Sequence, residues 1–144
     1  MIVTLDTNVL YQALYSKEGA SYYILQIIRA GLLQFAISVP VFHEYEDVLS
    51  RKQSLDQFKL DVTDIRRFLG YIAYSAKIVD PHFLFRPNLR DEADNMFIEL
   101  AIASQSEYLI TNNIKDFKNA ELRFDHLKFV TPGDFARIWR KHHG

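Results

Sequence analysis

Short aliphatic runs and longer stretches of helical periodicity take turns along this chain. Ile2 to Leu5 is a compact β-branched and aliphatic run that predicts a buried strand. Asp6-Thr7-Asn8 then offers helix-starting residue types, and Val9, Leu10, Ala13 and Leu14 continue at helical spacing. A second helix is expected over Ala20 to Ala30 with Gly31 as its stop, and a second strand over Gln34 to Ser38. Pro40 suits the first turn of the next helix, whose apolar face carries Val41, Tyr45, Val48 and Leu49. The polar stretch from Lys52 to Asp61 predicts a loop. Helical spacing resumes from Val62 to Ala76, Lys77 to Val79 is a short strand, and Asp80 to Leu89, with two prolines, is an extended loop. A long amphipathic helix is expected over Asp91 to Ser106 and a strand over Tyr108 to Thr111. A loop from Asn112 to Asp125, a strand at Lys128 to Val130 and a helix from Thr131-Pro132 to about Arg140 complete the chain. Strands alternating with helices predict an α/β domain with three layers, α/β/α, around a mainly parallel sheet of about four to five strands.

No repeat, low-complexity tract or linker divides residues 1–144, so a single domain is expected. The absence of cysteine removes disulfides, thiolate zinc sites and cysteine nucleophiles together, and fits a cytoplasmic protein. The opening residues have no basic stretch and meet a carboxylate at position 6, unlike a signal peptide, and no apolar run is long enough for a bilayer. A net charge of −1 gives no global basic footprint. A nucleic-acid ligand must therefore be held by a local patch, by metal ions or by a second subunit.

In parallel sheets ligands sit outside the carboxyl ends of the strands, which directs attention to Asp6, to Ser38–Glu44 and to Asn112-Asn113. Asp6 reads either as a helix N-cap or as a metal ligand steadied by Thr7 and Asn8. At about 100° per residue, Glu44 falls at the margin of the buried face of its helix, Glu46 farther out and Asp47 nearly opposite. Its alternative is an edge salt bridge. In the helix after Asp91, the apolar stripe runs through Ala93, Phe97, Leu100 and Ala101, beside Ile98. Asp94 lies inside that arc, where a carboxylate is costly unless paired or bound to a cation, whereas Glu92 and Glu99 are expected to face solvent. Asp91, one turn earlier, is either a further acidic member or an ordinary cap. Clustered carboxylates suit Mg²⁺ or Mn²⁺, which prefer oxygen ligands and can activate water and polarise a phosphodiester.

Other features carry two readings each. Phe83 and Phe85, interleaved with Arg86 in a loop near these acids, either stack bases or plug the core. Arg86, Arg90 and Lys115 are candidate phosphate contacts. Tyr11, Tyr15, Tyr22 and Tyr23 form either a protein interface or ordinary helix packing. His142 and His143 are expected in a disordered tail rather than as metal ligands. No phosphate-cradling glycine loop occurs. Dehalogenase-type phosphatases place a second aspartate two residues after the first, where this chain has Asn8.

Four blocks, in order, carry a family resemblance: residues 3–10 (Val-Thr-Leu-Asp-Thr-Asn-Val-Leu), 38–44 (Ser-Val-Pro-Val-Phe-His-Glu), 90–101 (from Arg90-Asp91 through Asp94 to Ala101) and 108–113, followed by Asp116-Phe117. Together with Thr131-Pro132-Gly133-Asp134-Phe135 they resemble the PIN-domain family, and within it the bacterial toxin-like, stand-alone branch. The resemblance implies a metal-dependent nuclease acting on RNA, with Mg²⁺ or Mn²⁺ held by Asp6, Glu44, Asp94 and the adjacent Asp91. It also implies a homodimer or a cognate antitoxin as partner. Thr7, Asn8 and Thr111 would lie beside the substrate. Many members carry a further aspartate after the fourth strand; Asn113 stands there, contributing no charge, and Asp116 is the residue that could substitute if the loop folds back.

Two principal functions follow as expectations. One is a divalent-metal-dependent endoribonuclease, the toxin half of a toxin–antitoxin pair, and the other is a binding module of the same fold with a degraded site. A hydrolase of small phosphoesters is a third.

Overall fold

The computed structural model describes residues 1–80, 92–117, 124 and 126–143, with the side chains of 92–94 left aside. Five parallel strands form one sheet in the order β3-β2-β1-β4-β5: β1 Ile2–Leu5, β2 Gln34–Ile37, β3 Lys77–Ile78, β4 Tyr108–Ile110 and β5 Lys128–Val130. The expected three-layer α/β/α architecture is the one observed. Among the described residues seven helices flank the sheet: α1 Thr7–Tyr15, α2 Ala20–Arg29, α3 Val39–Leu49, α4 Lys52–Phe58, α5 Val62–Ser75, α6 Glu92–Ala103 and α7 Pro132–His143. None of them is long and apolar enough to cross a membrane.

β1 is central because it can be buried on both faces: Val3, Thr4 and Leu5 are all buried, the threonine hydroxyl satisfied by Ser106 Oγ at 2.9 Å. Helices α2 and α7 pack together on one side of the sheet, while α6 lies against β1, β2 and β4 and also against α3. Phe35, Tyr45, Phe97, Phe117 and Phe135 are the largest fully buried side chains of the core between these layers.

Helix ends follow local chemistry. Ser38 Oγ accepts from the Val41 amide at the start of α3, where Pro40 costs no hydrogen bond. Asp61 and Asp64 form a reciprocal capping box at the start of α5. Gly31, at φ 76°, ends α2 while the Leu32 amide reaches back to the Ile27 carbonyl. Helix α6 stops short of the predicted Ser106 because Gln105 turns left-handed at φ 57°.

Three sequence expectations are corrected. The segment from Lys52 is a helix, not a loop. It is anchored by only two buried residues four apart: Ser54, whose hydroxyl donates to Val48 O at 2.7 Å, and Phe58, whose ring lies 4.7 Å from that of Tyr11. Tertiary contact supplies what the polar composition lacked. The histidine tail is not disordered: α7 runs to His143, whose ring stacks on Trp139 at 3.7 Å, and its basic last turn complements the helix dipole. Glu99 does not face solvent but is buried, because α6 is covered both by the sheet and by α3. A phase argument for a single buried stripe fails on a helix covered from two sides. The expected loop at 80–89 and its Phe83 and Phe85 lie outside the described residues, apart from Asp80.

Two glycines give opposite expectations for stability. Gly31→Ala should destabilise by about 1 kcal/mol, because its φ is positive although a Cβ would meet nothing within 4 Å. Gly70→Ala, in open space inside α5, should stabilise by about 0.5–1 kcal/mol. Denaturant melts of the two variants check both signs.

Candidate functional site

The strand order reverses at β1: successive crossovers carry the chain to β2 and β3 on one side, then to β4 and β5 on the other. The carboxyl ends of β1 and β4 therefore border an uncovered crevice. Register brings Leu5 opposite Ile110, and the Asp6 amide continues the ladder by donating to Ile110 O at 2.9 Å. Asp6 and Thr111 thus emerge side by side.

Asp6 is nearly buried, with 7% of its surface exposed. Its backbone occupies the N-cap position of α1, but its side chain makes no capping hydrogen bond. Instead Oδ2 accepts from Thr111 Oγ1 at 2.7 Å and from Asn8 Nδ2 at 3.2 Å. With its hydrogen bonds directed to Thr111 and Asn8, the side chain does not serve as the helix cap. Each donor is itself fixed. Thr111 Oγ1 accepts from the Asn113 amide at 2.9 Å, and Asn8 Oδ1 accepts from the Asn112 amide at 3.2 Å. This network ties the start of α1 to the loop after β4.

Burial is the main reason the Asp6 carboxyl is raised above its ordinary pKa, and the nearby Asp116 charge pushes the same way. The hydrogen bonds from Thr111 and Asn8 and the Thr7 amide oppose the rise without cancelling it. Asp116 owes its position to a short 3₁₀ turn, Ile114–Phe117, in which its amide donates to Asn113 O at 3.0 Å and Phe117 is buried. Lys115 and Asp116 are exposed on this turn, and so is Asn113 just before it.

Glu44 is half-buried on α3, whereas Glu46 and Asp47 are exposed, as helical phase predicts. The next residue, Tyr45, was marked in the sequence only as core. Its hydroxyl donates to Leu5 O at 2.5 Å, binding α3 to the end of β1 just before Asp6. Burial, and secondarily the Asp6 charge, push the Tyr45 phenol far up, so it stays a neutral donor. Position 94 lies in the first turns of α6, one residue before the buried Asn95. The side chain of Asp94 and residues Arg86, Arg90 and Asp91 lie outside the described part of the chain.

Among the described residues no three His, Asp or Glu side chains form a group able to hold a metal ion. Two observations still fit a hard divalent cation at this crevice. Asp6 is a desolvated carboxylate with the like charge of the exposed Asp116 near it, which a cation would relieve. Thr7 Oγ1, beside Asp6, and Asn95 Oδ1, beside position 94, are buried without a hydrogen-bond partner among the described residues.

The raised pKa of Asp6 fixes a sign. A carboxyl with a higher pKa in the folded than in the unfolded chain binds its proton more tightly when folded. Its contribution is fully favourable below the ordinary aspartate range and is lost as pH rises through the native pKa. Asp6→Asn should therefore raise the melting temperature of metal-free protein near neutral pH, with the gain shrinking as pH falls through the native pKa and gone below about pH 4. Added Mn²⁺ should stabilise the parent more than the variant. Thermal melts across pH, with and without the ion, measure both effects.

A family model for the PIN domain matches residues 2–115, an interval that contains Asp6, Glu44, Asp91, Asp94 and Asn113 and ends just before Asp116. In fold the chain is similar to a chain of the crystal structure of VapBC2 from Rickettsia felis bound to a DNA fragment from their promoter. That likeness has a TM-score of 0.57 and 22% sequence identity, covering 91% of this chain and 98% of that one. Among curated proteins none matches the chain. With most of its length matched and a buried aspartate at the carboxyl end of the central strand, the chain belongs to the PIN-domain family.

Proposed function

We propose that the chain is a divalent-metal-dependent endoribonuclease, the toxin component of a toxin–antitoxin pair. The observation that carries this reading is Asp6: a carboxylate buried at the switch point, oriented by Thr111 and Asn8, and kept from capping its own helix. PIN domains are generally nucleases, and the similar fold from Rickettsia felis comes from a VapBC2 complex, which supports a toxin with a cognate antitoxin partner.

In this reading Asp6, Glu44 and Asp94 hold Mg²⁺ or Mn²⁺, with Asp91 and Asp116 as additional acids. The bound ion would activate water and stabilise charge on the phosphodiester oxygens. The chain's own contribution is orientation. Thr111 and Asn8 fix the Asp6 carboxylate, and Tyr45 fixes the strand end that carries it. The buried Thr7 hydroxyl, without a partner among the described residues, would be satisfied by an ordered water beside Asp6. Lys115, with Arg86 and Arg90, supplies positive charge for the phosphates. Asn113 leaves one acidic position of the family neutral, and Asp116 compensates from the adjoining turn.

Purified protein should cleave single-stranded RNA in Mn²⁺ or Mg²⁺ and not in chelator. Asp6→Asn and Asp94→Asn should each reduce the rate by at least about a hundredfold while the circular dichroism spectrum is retained. Two variants that cut as fast as the parent would sink the assignment. Asn113→Asp discriminates the alternative: RNA binding without turnover in both parent and variant would identify a binding module, whereas a rate that rises in the variant supports an attenuated nuclease.

A further inference from the structure

A groove of about 530 Å³ runs between α2 and α7, and none of its lining residues belongs to the candidate metal site. Three cations, Lys17, Arg137 and Arg140, border it together with one acid, Glu18, and with Tyr22 and Tyr23. Arg137 is paired with Asp134, one turn earlier. Arg140 and Lys17 make no ion pair with a carboxylate among the described residues. The Arg140 guanidinium lies over the Tyr23 ring, 4.4 Å from its centroid. A guanidinium held this way has its face occupied by the aromatic ring, while its N–H edge remains able to meet an anion. The first turn of α2 points its free amides the same way, since Gly19 provides no capping side chain; Glu18, just before it, offsets one of the three cations.

Position along the sheet connects this groove with the metal site. Thr131 leaves the carboxyl end of β5 and caps α7 through its hydroxyl, which accepts from the Asp134 amide at 3.1 Å. Asp6, Thr111 and Thr131 leave three successive parallel strands at the same edge, since the Asp6 amide bonds Ile110 O and the Thr111 amide bonds Val130 O. Asp6 and Thr131 are thus two strand spacings apart, about 10 Å. From there the groove follows α7 to Arg140, about 13 Å farther at the rise of an α-helix.

We propose that this groove binds the backbone of single-stranded RNA beyond the segment held at the metal site. The inference rests on RNA being the substrate. A chain whose formal net charge is −1 cannot attract a polyanion by overall charge, and the groove concentrates cations where the strand would run. Paired tyrosines and a stacked arginine favour a nucleic acid over an acidic peptide, because bases present faces to stack and a glutamate-rich segment does not.

The test measures anisotropy of a labelled single-stranded RNA, long enough to reach Arg140, bound by the full chain in chelator. Binding without metal separates this groove from catalysis. The double variant Lys17→Ala/Arg140→Ala should weaken binding about tenfold at low salt and reduce the slope of log affinity against log salt by about 1.4. Arg140→Lys alone should retain most of the affinity. Cleavage of an oligonucleotide too short to leave the metal site should be unchanged in the double variant. Parent affinity retained in the double variant, or no binding by the parent in chelator, overturns the groove while leaving metal-dependent cleavage to be judged by its own assay. A polyglutamate peptide of matched charge that binds as tightly as the RNA also overturns it, assigning the groove to acidic protein instead.

Discussion

With β2 hydrogen-bonded along one side of β1 and β4 along the other, the chain leaves the carboxyl end of β1 into a space that no crossover covers. The parallel register across β1 and β4 then dictates the neighbours of whatever residue stands there. Here it is an aspartate beside a threonine, and the short hydrogen bond between them is a direct result of Leu5 facing Ile110. Asn8, one residue into α1, uses both ends of its amide to join the same carboxylate to the loop after β4. A one-residue slip of β4 against β1 would separate every member of this set.

The site is held against an electrostatic cost. Removing a carboxylate from water is unfavourable by about several kcal/mol, and the donors around Asp6 offset only part of it, as its raised pKa records. Several nearby polar groups are nevertheless satisfied, although the Thr7 hydroxyl beside Asp6 has no partner among the described residues. Tyr45 ties down the last carbonyl of β1, and Thr4, Ser104 and Ser106 form a closed chain of buried hydroxyls at the other end of α6. An unfavourable charge within an ordered frame is a local rule broken at one position and kept around it.

Much of this was legible in the sequence, for identifiable reasons. A strand ending in Asp6, a cap at Ser38 before Pro40 and a stop at Gly31 are local chemistry, which a sequence carries directly. The relative exposure of Glu44, Glu46 and Asp47 followed from phase because α3 presents a single buried stripe. Glu99 did not, because α6 is covered on two sides, and α4 did not, because Ser54 and Phe58 draw their support from residues distant in sequence. Tyr45 looked like an ordinary core residue, since nothing local reveals that its hydroxyl meets a carbonyl forty residues earlier. The bridging role of Asn8 was equally non-local.

The two borders of the sheet are short: β3 has two residues and β5 three, and each begins with an exposed lysine, Lys77 and Lys128. A foreign strand laid along either border would find too few free backbone groups to repay its ordering, and would meet a charge at its first position. Among the described residues, then, neither border offers a long free ladder. Recognition by another protein must then be written in side chains on the helical layers, where it can be altered residue by residue without disturbing the ladder that holds Asp6 in place.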